Sequence, residues 1–314
     1  MRHFAVGAIA FFFVVAGALP VVVAAQDATP AASASLLAGI GYPELLITVT
    51  ADAVDAPSEV AAGRYLVVLD NQSEGFVQAD FTQLPAGVTL EEIAAADESE
   101  ESDDGDDGDD ADEEEDAPMD WYYEAILPGG ASAFPGATGR AVVDLTAGEW
   151  FIDIFREPEH DAADPPMLTV TGEDGTPIDA PEPEGAVEIE MQDHSFVIPE
   201  NLTAGPHIWK VTNTGAQPHT ISISKGPDTL TQEQFLAIVE SSMTGEAPPV
   251  DGPNPETDFE EIGGSAVLSA GQTTWIEVDL APGAYGAVCW VPDQETGTPH
   301  MLLGMTAVFT VGEG

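Results

Sequence analysis

The strongest constraint on how this chain folds is that it repeats itself. Residues 45–50, then 62–71, then the helix start Thr89-Leu90-Glu91-Glu92-Ile93 form one run of segments. Residues 187–191, 204–213 and Thr231-Gln232-Glu233-Gln234-Phe235 form a second run in the same order. The back halves match too, with residues 139–151 parallel to residues 274–286. Within these segments apolar and polar residues alternate with a period of two, and β-branched and aromatic residues gather between Gly, Pro and Asn, which marks half-buried strands. In residues 274–280, Ile276, Val278 and Leu280 share a core face while Trp275 points to the other side. Thr89 with Glu92, and Thr231 with Gln234, are capping boxes that set one short helix in each repeat. The expected class is all-β: two tandem Greek-key sandwiches or barrels, each with a short inserted helix.

Composition marks the boundaries. Residues 171–185 are rich in Pro and Gly with little to bury, so 173–185 is expected to be a linker between domains at 43–172 and 186–314. Met1-Arg2-His3 and the apolar run from Phe4 to Ala25 make residues 1–25 a secretory signal, cleaved after Val23-Ala24-Ala25; retention as an anchor is the alternative, because the run is just long enough to span a bilayer. Residues 26–42 are expected to be a disordered tether. The expected location is secreted, periplasmic or at the extracellular surface, and the protein is not integral to a membrane once the signal is removed.

The chain has 57 Asp and Glu against 6 Lys and Arg, a formal charge of −51. Nucleic acid is excluded as a partner, since no basic surface exists to neutralise phosphates. Fifteen of the acids lie in the tract 97–116, expected to be a disordered loop inside the first domain. Its glycines fall at the wrong offsets for an EF-hand, so weak, diffuse cation binding is the most it suggests. The other acids are spread along the chain, which suits a salt-screened habitat and basic partners.

The single cysteine, Cys289, excludes an internal disulfide. It opens the run Cys289-Trp290-Val291-Pro292-Asp293-Gln294-Glu295-Thr296-Gly297-Thr298-Pro299-His300-Met301-Leu302-Leu303-Gly304-Met305, and a second imidazole, His219, follows Asn213-Thr214-Gly215-Ala216-Gln217-Pro218. A soft thiolate, two imidazoles and a weak thioether suit copper, because such a set tolerates both oxidation states with little change of geometry. Each residue alone has a plain packing role as its alternative.

The pattern Phe196-x-x-Pro199, Ala204-Gly205, Asn213-x-Gly215, His219, then Cys289, His300 and Met305, resembles the cupredoxins, the blue (type 1) copper family, over roughly residues 186–312. The resemblance implies tandem cupredoxin-like domains, with His219, Cys289 and His300 as equatorial ligands and Met305 as the axial ligand of one copper per chain. The tail His300-x-x-x-Gly304-Met305 is similar to that of copper nitrite reductases and multicopper oxidases, whereas the Cys-to-His loop is longer than in plastocyanins or nitrite reductases. In the first repeat Val77 and Ile154 stand where His219 and Cys289 do, with His160 aligned to His300, so that repeat is expected to bind no copper. His194 and His207 are expected to face solvent.

The implied function is one-electron transfer, with a basic redox partner and an exit surface of Pro299, Met301 and Leu302 around an exposed edge of His300. Val288 and Trp290 flank the thiolate, where a wired second copper centre would need histidines, so the chain is expected not to be an enzyme. Surface copper storage and a metal-free structural role are the alternatives.

Overall fold

The computed structural model describes residues 35–93, 120–157, 165–173, 178–244, 252–255 and 257–314. The expected signal at 1–25, the acidic tract at 97–116 and His160 lie outside the described residues. The first unit contains β1 (Glu44–Val49), β2 (Val54–Asp55), β3 (Glu59–Ala61), β4 (Gly63–Asn71), β5 (Phe76–Thr82), α1 (Asp120–Glu124), β6 (Gly130–Ala133), β7 (Thr138–Leu145), β8 (Gly148–Glu157) and β9 (Met167–Thr171). The second contains β10 (Val187–Gln192), β11 (Ser195–Val197), β12 (Leu202–Thr203), β13 (Gly205–Asn213), β14 (His219–Lys225), α2 (Gln232–Thr244), β15 (Glu260–Leu268), β16 (Thr273–Leu280), β17 (Gly283–Val288) and β18 (Thr306–Gly312).

Strand order makes the duplication exact in topology. The orders β3-β9-β8-β5-β6 and β12-β18-β17-β14-β15 are the same, as are β2-β1-β4-β7 and β11-β10-β13-β16. The last two join edge to edge into one eight-stranded sheet through antiparallel pairing of β7 with β16, where Ala141 faces Ile276 and Val142 faces Trp275. Each unit thus removes the other's exposed strand edge, which otherwise invites pairing with foreign chains.

Both capping boxes form. Thr89 N–H donates to Glu92 and Glu92 N–H to Thr89 Oγ1, opening a helical turn at 90–93; Thr231 and Gln234 do the same at the start of α2. Ile276, Val278 and Leu280 are buried as the alternation requires, but Trp275 on the opposite face is buried as well. Leu37, Leu66, Val142 and Ile208 cover it, and the Arg64 guanidinium stacks 4.3 Å from its ring centre.

Leu37 corrects the tether. Residues 35–42 pack onto the shared sheet, with Leu37 0% exposed and the Ser35 hydroxyl and Leu37 N–H both donating to Glu277 Oε1. Full burial of one such side chain stabilises by roughly 1.5–3 kcal/mol, enough to order a short segment whose polar groups are also satisfied. The linker is pinned too: Arg64, held by Asp144, donates to the carbonyls of Ala180 and Pro181.

Further polar contacts cross between the units. Val267 N–H donates to the buried Asp80 carboxylate at 3.1 Å, Leu127 and Ser269 exchange two hydrogen bonds, and the Tyr123 hydroxyl on α1 donates to Pro292 O at 2.8 Å. That last bond fastens the first unit to the loop that follows Cys289.

Candidate metal centre

His219 and the much later Cys289, His300 and Met305 come together at one end of the second unit. His219 opens β14, Cys289 directly follows β17, and His300 and Met305 lie on the connection from β17 to β18. All four are 0% exposed. His219 Nδ1 lies 3.1 Å from His300 Nδ1, and Cys289 Sγ lies 3.8 and 3.6 Å from those two nitrogens. A point equidistant from the three atoms is about 2 Å from each, the bond length a small transition-metal ion takes to imidazole and thiolate. Burial pushes the Cys289 thiol up to about 12 and His300 down to about 4, and it lowers His219 as well. Without a cation these groups stay neutral, so the pocket is built to gain a thiolate when a positive ion arrives.

Local structure explains the placement. Opposite His219 the β14–β15 register slips, a bulge that the matching β5–β6 pair lacks; a bulge of this kind re-aims the neighbouring side chain. The Cys-to-His loop closes as a small hairpin with a Pro292–Pro299 bridge, and Asp293 accepts from the main chain of Glu295 and Thr296 inside it. His300 N–H then donates to Val291 O, Met301 N–H to Cys289 O, Met305 N–H to His300 O and Cys289 N–H to Met305 O. That network fixes the loop ends against each other, so its extra length does not loosen the site.

The supporting residues were not legible in the sequence. Asp193, in the tight turn between β10 and β11, accepts from His219 Nε2 at 3.0 Å, which leaves Nδ1 free as a donor atom. Burial pushes the Asp193 carboxyl up, but hydrogen bonds from His219 and from Ala216 and Gln217 N–H outweigh it and hold it below the ordinary value. A side chain at Gly215 would collide with Asp193 Oδ1 and His219 Nε2, which gives the Asn-x-Gly pattern its physical reason. Thr220 N–H points at Cys289 Sγ from 3.5 Å.

Two expectations need correction. Met301, assigned to the exit surface, is 0% exposed and packs with Phe235, Val239 and Val288 beneath α2, because its N–H is bound to Cys289 O and the turn directs its side chain inward. Pro299 and Leu302 are partly exposed, but His300 is fully buried behind Gln217, whose Oε1 lies 3.4 Å from its Nε2, and behind the ring of His194 at 5.3 Å. His194 is therefore a half-buried neighbour of the site rather than a free surface residue. His207, by contrast, bonds Thr203 O away from the site.

In the first unit, Val77 and Ile154 fill the positions of His219 and Cys289, and among the described residues no histidine, cysteine or carboxylate trio gathers there.

The strand order is that of the expected two tandem β-sandwich units, and the chain is similar to several solved structures. Auracyanin from Roseiflexus castenholzii is 24% identical and covers 40% of this chain and 95% of its own, with a TM-score of 0.26. A laccase from Pediococcus acidilactici is 11% identical over 86% of this chain and 60% of its own, with a TM-score of 0.23. The copper-containing nitrite reductase from Thermus scotoductus SA-01 is 10% identical over 85% of this chain and 61% of its own, with a TM-score of 0.22. No known family's sequence profile matches the chain, and no curated protein sequence does. The expectation that the chain is not an enzyme does not stand, because the structures that match most of its length include an oxidase and a nitrite reductase. A fold shared by carriers and enzymes cannot exclude catalysis, and neither do the flanking residues Val288 and Trp290.

Proposed function

We propose that this chain is an exported copper protein that holds one copper ion in its second unit and passes single electrons. The triangle of His219 Nδ1, His300 Nδ1 and Cys289 Sγ, buried and of a size to take one ion, carries this reading. When bound, copper supplies a one-electron couple whose two states both accept this donor set. The chain's own residues do the rest. Asp193 fixes the His219 ring, the closed hairpin fixes His300, Met305 is buried and tied through its main chain to Cys289 and His300, and the apolar surroundings keep water away, so little need reorganise when the charge changes.

The electron partner is a basic protein, drawn by a chain whose formal charge is −51, and its association slows as salt rises. Export fits the apolar run that begins the sequence, and no helix among the described residues is long and apolar enough to cross a membrane.

The test is the full chain loaded with Cu(II). One copper per chain with an intense thiolate-to-copper band in the red is expected; Cys289→Ala loses the band and keeps its circular dichroism. A pale spectrum without that band in the unaltered chain sinks the proposal.

A further inference from the structure

The copper ligands leave a second set of donors beside them. His194 is the only non-glycine residue at positive φ among the described residues, at 62°, in the two-residue turn closed by Gln192 and Ser195. Such a backbone is uncommon outside glycine, although histidine, like asparagine, tolerates it better than most residues, and it holds the ring in one direction. Its Nε2 is buried and has no hydrogen-bond partner, an uncommon and costly state for a polar atom. It lies 3.8 Å from Asp293 Oδ2, and one donor atom from each of His194, Asp293 and His300 lies within 4.8 Å of the other two.

The other two members are fixed in place. Asp293 Oδ1 accepts from Glu295 N–H, Thr296 N–H and the Thr296 hydroxyl, and Oδ2 accepts from Gln217 Nε2 at 2.7 Å. Gln217 is in turn held by Gln294 N–H. His300 turns its Nδ1 inward to Cys289 and His219, which leaves Nε2 on the outer side, where it meets Gln217 at only 3.4 Å.

We propose that His194 Nε2, Asp293 Oδ2 and His300 Nε2 form a second metal site, for a divalent cation of the zinc type, so that the His300 ring bridges two ions. The bridge rests on the copper reading for the role of His300 Nδ1; the outer site does not. Two imidazole nitrogens and one carboxylate oxygen, with a fourth position open to water, form a donor set that zinc accepts. His300 releases its Nε2 proton to solvent as the ion binds, and no electron moves. A positive charge one imidazole away from the copper favours its reduced state, so occupancy of the outer site tunes the electron affinity of the inner one.

The test titrates the full, Cu(II)-loaded chain with Zn²⁺ in excess Mg²⁺, which saturates diffuse binding by the acidic surface. One further zinc per chain is expected, with copper retained, a displaced thiolate-to-copper band and a raised reduction potential. His194→Gly and His194→Asn both suit the turn, and both are expected to keep the copper band and lose the zinc. Absence of saturable zinc in the unaltered chain, equal uptake by the variants, or displacement of copper by zinc overturns the proposal. A missing copper band before any zinc is added sinks the copper reading instead, a separate measurement from the zinc count.

Discussion

The two units carry the same supports under different tops. Asn71 and Asn213 are both fully buried at the ends of β4 and β13. Asn71 Nδ2 donates to Gly75 O and Ala133 O, and Asn213 Nδ2 donates to Gln217 O and Leu268 O, while each Oδ1 accepts a main-chain N–H two residues on. Tyr65 and His207 each bond the carbonyl four residues back, and so do Trp150 and Tyr285. Above this shared frame, His219 and Cys289 face each other in one unit where Val77 and Ile154 fill the other. Asp80 and Asp153 pair across strands in the first unit, at places taken by Ser222 and Val288 in the second. The frame therefore specifies the fold without a metal, and the metal donors are an addition that the frame tolerates.

The largest expected effect tests that division. Asn71→Ala and Asn213→Ala each strand two buried carbonyls and one N–H and are expected to cost about 3 kcal/mol of stability, by denaturant unfolding of the copper-free chain. Only Asn213→Ala is expected also to weaken copper retention, because its bond to Gln217 O holds the segment leading to His219. Equal copper retention by both variants would break the comparison.

A smaller effect concerns the carboxylates of the first unit. Burial raises Asp80 to about 6 and Asp153 to about 8, the latter helped by the charge of Asp80. Both lie above the ordinary value, so their protonated forms favour the folded state at acid pH, and that contribution is lost as pH rises through these values. Unfolding free energy is expected to fall by about 2 kcal/mol between pH 5 and pH 8, a figure reduced from the full shift because Asp153 is partly exposed. Asp153→Asn flattens that slope; a slope unchanged by the substitution would assign it to other groups.

The smallest effect probes the link between units. Tyr123→Phe removes the bond to Pro292 O and is expected to cost about 1 kcal/mol, with a slight displacement of the thiolate-to-copper band. A stability loss with no spectral change would mean that the first unit fastens the loop without shaping the donors.

Much of the frame was legible because it is local. Alternation along β16 and the capping boxes at Thr89 and Thr231 involve residues within a few positions of each other, and their hydrogen bonds and burial follow from that spacing. The grouping of His219, Cys289 and His300 was legible for another reason, since those donor types suit one kind of ion. Asp193 and His194 gave no such signal: they sit in a two-residue turn with no motif around it, and their importance comes from where β10 is placed in the sheet.

The sequence by itself determined the duplicated run of strand segments, the capped helix starts at Thr89 and Thr231 and the chemistry of the donor set, because period, capping and ligand softness are properties of residues and their near neighbours. Only the tertiary structure decided that the two units share one sheet, that Leu37 and Arg64 close over Trp275, that Met301 turns inward and that His194 stands beside His300. Those outcomes depend on which surfaces meet after folding, and burial of a face is settled by what covers it rather than by the residues that form it.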